Sequence, residues 1–102
     1  MNKPTRDKLT ARARIMKAMA HPTRLFIVEE LSKRERPVGE LTEMVGADMS
    51  TVSKHLSVLR NIGIIEDDKR GAQVYYRLTC PCIMEFFSCA EAVIRSAPRA
   101  GL

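Results

Sequence analysis

The chain has 102 residues and a formal net charge of +5, a length that suits one domain over 1–102 with a modest core and that favours pairing with a second copy to bury more apolar surface. No apolar run approaches the roughly 18 residues needed to cross a membrane, and the charged start MNKPTRDKLTARAR lacks an apolar signal core, so a cytoplasmic protein with no membrane partner is expected. Three cysteines in a reducing compartment disfavour a disulfide framework and favour metal or redox chemistry.

The charge is uneven. Residues 1–36 hold ten Lys/Arg against four Asp/Glu, while residues 37–102 hold seven against eight. A basic balance raises the odds of an anionic partner such as nucleic acid. In the first helix, expected over 5–20, Leu9, Ala13, Met16 and Ala20 stand at helical spacing with cations between them. HPTRLFIVEELSK follows, with Pro22 suited to a first helical position and Leu25, Val28 and Leu31 on one side. His21 reads as a helix cap or surface residue. Arg24 is left open between pairing with an acid and touching phosphate. Arg36–Pro37 ends this helix.

A short third helix, VGELTEMV, turns Val38, Leu41 and Val45 inward and closes at Gly46. Asp48 can cap a fourth helix, MSTVSKHLSVLRNI, which Gly63 closes. Two short helices across a tight turn, over 38–62, form a helix-turn-helix pattern. The period then changes to that of strands. IIEDDK, a turn at Arg70–Gly71 and AQVYYRL give a hairpin over 64–78, with Val74, Tyr76 and Leu78 on one face and Tyr75 and Arg77 on the other. A last helix is expected from Cys80–Pro81 to about Ser96, and Pro98 and Gly101 mark a frayed tail. The predicted class is mainly α with a small β-hairpin, in the order α-α-α-α-β-β-α.

On the fourth helix Val52, Leu56 and Leu59 form the inward stripe. The other surface carries Ser50, Thr51, Ser53, Lys54, Ser57 and Arg60, with His55 near the edge and no carboxylate after Asp48. Short hydroxyls approach phosphates and base edges closely, and cations neutralise phosphate, which is what a major-groove helix needs. An ordinary solvated face would mix in Glu or Asp. Lys69 and Arg70 at the hairpin tip can reach flanking phosphates, although Glu66, Asp67 and Asp68 stand just before them.

The stretches MAHPTRLFIVEELS and GELTEMVGADMSTVSKHLSVLRNIGIIEDDKRGAQVYYRL, with the closing helix, resemble the ArsR/SmtB family of winged-helix repressors over residues 12–95. STVSKHLSVLRNIGII followed by GAQVYYRL is the most specific part. The resemblance implies a winged helix-turn-helix homodimer, paired through its first and last helices (5–20 and 80–96), that binds double-stranded operator DNA and is released by a thiophilic or transition-metal inducer. Many arsenic- or cadmium-sensing relatives carry Cys-x-Cys in the third helix, where ELTEMVG here has no sulfur. Zinc-sensing relatives place His and carboxylates on the last helix, where residues 80–102 hold no His and only Glu85 and Glu91 as acids.

The remaining candidate is the cluster Cys80, Cys82 and Cys89, which holds every cysteine in the chain. Soft thiolates favour soft ions, and three sulfurs suit trivalent arsenic or antimony as inducer, with no organic cofactor. A helix start lowers thiol pKa, so Cys80 and Cys82 are expected to be the more reactive pair. One unbroken helix would hold Cys82 and Cys89 about 10 Å apart along its axis. Either the helix starts later or unwinds near 80–84, or Cys80 and Cys82 of one subunit meet Cys89 of the other, and the second arrangement is preferred. Thiol redox sensing by the same cysteines is the alternative, and packing of Cys89 as a small apolar residue is the plainest reading. An enzyme is not expected: the thiol spacing is not C-x-x-C, no βαβ pattern surrounds it, and there is no Ser/His/Asp set or glycine-rich phosphate loop.

Overall fold

The computed structural model describes residues 1–97; the predicted tail at Pro98 and Gly101 lies outside them. The chain forms α1 (Lys3–Met19), α2 (Pro22–Lys33), β1 (Arg36–Pro37), α3 (Val38–Val45), α4 (Met49–Asn61), β2 (Ile65–Arg70), β3 (Gln73–Leu78), a 3-10 turn at Pro81–Ile83 and α5 (Met84–Ser96). Among the described residues no helix is long and apolar enough to cross a membrane.

The hairpin is part of a three-stranded antiparallel sheet in the order β1-β3-β2. β1 corrects the two-stranded expectation. Arg36 and Pro37 end α2 as predicted, but they then pair with Tyr76 and Tyr75 of β3. Two residues carry no readable alternation, and a proline argues against a central strand; at this edge its missing N–H costs nothing. In the hairpin Arg70 pairs with Gln73, so the turn residues are Gly71 and Ala72. Gly71 takes φ +61° there, the left-handed backbone that glycine adopts at no steric cost.

The core joins α2, α3, α4 and the sheet through Ile27, Val28, Leu31, Leu41, Leu56 and Ile65. In α1 the inward residues are Ile15, Ala18 and Met19, not the predicted stripe: Leu9 and Met16 are exposed. Leu25 of α2 is likewise exposed, and Ile27 takes its expected place in the core. Those apolar positions turn away from this chain's own core, which a helical period alone does not reveal. α5 has no buried residue; Met84 and Phe87 rest against the core while Phe86, Val93 and Ile94 face outward.

A buried ion pair fixes the approach to the helix-turn-helix. Arg36 donates to Glu30 Oε1 at 3.0 Å, to the Glu30 carbonyl at 3.1 Å and to Glu40 Oε1 at 2.8 Å. This ties the end of α2 and β1 to the first turn of α3. Charges this buried hold only when paired and hydrogen-bonded, so the network sets where α3 starts.

Candidate nucleic-acid interface and thiol cavity

α3 ends at Gly46, with φ +78°, and Asp48 caps α4. Asp48 Oδ1 accepts from the Thr51 backbone N–H at 2.8 Å and from Ser50 Oγ at 2.7 Å. The Ser50 hydroxyl and the helix N–H groups pull the Asp48 carboxyl down to about 2. Ser50 therefore serves the cap first, and its hydroxyl is already directed at a carboxylate.

The inward stripe Val52, Leu56 and Leu59 is fully buried. Thr51, Lys54, Ser57 and Arg60 are exposed on the other surface, with Ser50 beside them, and Ser53 and His55 are half-buried at its edges. Lys54 enters no ion pair among the described residues, whereas Arg60 pairs with Asp67 of β2 at 3.1 Å. His55 is held from behind. Its Nδ1 accepts from Arg24 Nε at 3.1 Å, and its ring lies 4.5 Å from that of His21. Burial, with His21 and Arg24 close by, lowers its pKa. With Nδ1 accepting from Arg24, the ring has Nε2 left to face outward from α4. Arg24, which the sequence left undecided, braces α4 and also donates to the Ala18 carbonyl at 3.1 Å. His21 caps α2, as read from the sequence, by accepting from the Thr23 N–H at 3.0 Å.

At the wing tip Arg70 already has partners within the chain. Arg70 is engaged by Glu35 at 2.7 and 3.0 Å and by Asp68 at 2.9 Å, and its guanidinium lies 4.5 Å over the Tyr75 ring. Those carboxylates raise its pKa further and hold the guanidinium against the wing, so a phosphate must compete with them for it. Glu35 sits far away in sequence, so no local pattern signals this clamp. Lys69 is exposed and enters no ion pair among the described residues.

The last helix starts at Met84, later than Cys80–Pro81, because Pro81 opens a single 3-10 turn first. The consequence is that Cys80, Cys82 and Cys89 of one chain all line one 490 Å³ cavity, together with Ile15, Gly63, Ile64, Ile83 and Phe86. Cys80 and Cys82 Sγ are 2.7 Å apart, and all three thiols are free and exposed. Cys89 shares the cavity but does not join them in a ligand cluster: among the described residues no group of three or more His, Cys, Asp or Glu is disposed to hold a metal ion. The expected lowering of both thiol pKa values does not hold for Cys82. The Cys80 thiol against it, with Glu85 nearby, raises it, and one 3-10 turn brings too few aligned N–H groups to offset that.

Residues 21–67 match the family described as bacterial regulatory proteins of the arsR family. The biofilm growth-associated repressor of Xylella fastidiosa is 39% identical over 79 residues, covering 74% of this chain and 69% of that protein. NolR from Sinorhizobium fredii superposes with a TM-score of 0.83 at 28% identity, over 95% of this chain and 97% of NolR. A homodimeric winged helix-turn-helix DNA-binding domain from Mycobacterium bovis, solved in solution, gives 0.80 at 27% identity, over 93% and 88% of the two chains. An arsR match centred on the α3–α4 pair, inside a fold shared along nearly its whole length, has one reading: the chain belongs to the arsR family of DNA-binding transcriptional regulators.

Proposed function

We propose that the protein is a homodimeric repressor that leaves its operator when a thiophilic ion, As(III) or Sb(III) first, binds Cys80, Cys82 and Cys89. α4 reads the major groove with Thr51, Ser53, Lys54, Ser57 and Arg60, Ser50 and His55 stand at its margins, and Lys69 and Arg70 extend the contact from the wing. α1 and α5 pair the subunits. The observation that carries the inducer reading is that the chain's three cysteines border one cavity, whose opposite wall is Gly63 and Ile64 at the end of α4 and Ile15 of α1.

Three thiolates are a fitting donor set for a soft ion. The sulfurs are not assembled in this arrangement, so a state that ligates the ion requires Cys89 to approach Cys80 and Cys82. That movement shifts the first turns of α5 against the end of α4. An ion with higher affinity for the shifted state draws the dimer away from the DNA-binding one by that difference in affinity.

A second reading rests on the contact between the Cys80 and Cys82 sulfurs. Peroxide could oxidise the two thiols to a disulfide, with two water molecules as the other product. The discriminating experiment uses a duplex selected from random sequence for tight binding. Arsenite or antimonite should weaken binding by about 5–150-fold, and Cys→Ser at any of the three positions should remove the response. Release by peroxide alone would favour the redox reading. Unchanged affinity under every treatment would rule out both.

A further inference from the structure

Residues 1–36 carry a surplus of cations beyond Arg24 and Arg36, which are engaged within the fold. Much of it lies on α1, where Lys3, Arg6, Arg14 and Lys17 recur at spacings that keep them on one arc of the helix. All four are exposed. Asp7 is the one acid on α1, and it already pairs with Lys3 at 2.9 Å; Arg6, Arg14 and Lys17 enter no ion pair among the described residues. This arc is separate from the core face of Ile15, Ala18 and Met19. It is also separate from Met16, which lines a cleft with α5.

What the arc adjoins gives it meaning. Arg14 and Lys17 line a 360 Å³ groove whose other wall is Val58, Asn61 and Ile62 at the C-terminal end of α4. Val58 and Asn61 follow Lys54 at spacings of four and three, so they continue the row that Lys54 begins on the outer surface of α4. The cations of α1 therefore flank the surface proposed to enter the groove, on its Lys54 side.

We infer that α1 is a second DNA-contacting element, whose Arg14–Lys17 edge holds duplex phosphates beside the groove occupied by α4. The inference rests on the reading of α4 as the major-groove helix. From Lys3 to Lys17 the arc spans about 21 Å at 1.5 Å per residue, and B-DNA presents one charge per about 1.7 Å of axis, so the row can follow several phosphates. Such contacts carry no sequence information. They strengthen binding to any duplex and fix the orientation in which α4 is presented.

The test compares the intact wild-type protein with the double variant Arg14→Gln/Lys17→Gln on a mixed-sequence duplex, with salt varied from about 50 to 200 mM. A dimer loses four cations, and each lost phosphate contact lowers the log–log salt slope by about 0.9, so the slope should fall by roughly 3–4. Binding at the low-salt end should weaken at least about tenfold. The charge-retaining pair Arg14→Lys/Lys17→Arg should restore both, and Lys8→Gln/Arg12→Gln, off the arc, should change neither. Circular dichroism and gel filtration of each variant check helix content and pairing. An unchanged slope in Arg14→Gln/Lys17→Gln, alongside a reduced slope in Lys54→Gln, overturns the inference and leaves the α4 reading standing. An unchanged slope in both overturns the two together. Loss of binding to anionic vesicles with DNA binding intact would assign the arc to a membrane surface and also overturns the inference.

Discussion

At the scale of single residues, several polar groups around α4 are engaged with each other before any DNA arrives. Ser50 serves Asp48, Arg60 serves Asp67 and Arg70 serves Glu35 and Asp68. Each pair is solvent-exposed, where water and salt screen an ion pair, so a phosphate can compete for the arginines. His55 differs because it is half-buried and its acceptor nitrogen is in use. Its folded pKa lies below the unfolded value of about 6.5. The unfolded chain therefore binds more protons between the two values, and stability falls as pH drops through that window, levelling off below the folded pKa. His55→Gln keeps an oxygen acceptor for Arg24 without titrating. Its melting temperature should vary less than wild type between about pH 7 and 5; an identical pH dependence in the two proteins would remove His55 as the source.

At the scale of elements, the helix-turn-helix depends on residues outside it. Arg36 and Glu30 side chains are only 8% and 10% exposed, so truncating one leaves a buried charge. Arg36→Leu should cost about 3–5 kcal/mol in urea unfolding. Glu30→Leu/Arg36→Leu should recover a large part of that loss, because no orphaned charge remains. Simple additivity of the two single changes would mean that the pair is not coupled. The pair was hidden from sequence reading: Arg36 was legible as a helix stop before proline, but its partner depended on the turn of chain that brings β1 back under α2. The cap at Asp48, the glycine ends of α3 and α4 and the stripe Val52–Leu56–Leu59 were legible because they are local. The start of α5 was misplaced by a few residues, since Pro81 suits the first position of a 3-10 turn as well as that of an α-helix.

For the whole molecule, the Cα radius of gyration is 15.5 Å, against about 13 Å for a compact domain of this length. α1 and α5 both carry apolar residues that this chain leaves uncovered. Val93, Ile94 and Met16 are 65%, 58% and 51% exposed. Met16, Phe86, Phe87 and Ile94 border a single 610 Å³ cleft between α1, α2 and α5. The proposed pairing through α1 and α5 would cover this cleft and the apolar positions that one chain leaves wet. Phe86→Glu/Val93→Glu should therefore yield monomers in sedimentation equilibrium and lose tight operator binding, since one reading helix per particle forfeits the paired half-site contacts. A double variant that stays dimeric would place the pairing surface elsewhere.

The order of helices and hairpin, the inward face of α4 and the family followed from sequence alone, because period, caps and turn glycines act over a few residues. The tertiary structure decided what depends on chain segments meeting: that β1 completes the sheet, that Arg70 and His55 are held by Glu35 and Arg24, and that α1 lays Arg14 and Lys17 beside α4. It also decided that three cysteines, too far apart for one helix, border one cavity once the helix begins at Met84. Local chemistry sets the elements; which side chains share a surface is fixed only when burial of the core brings distant segments together.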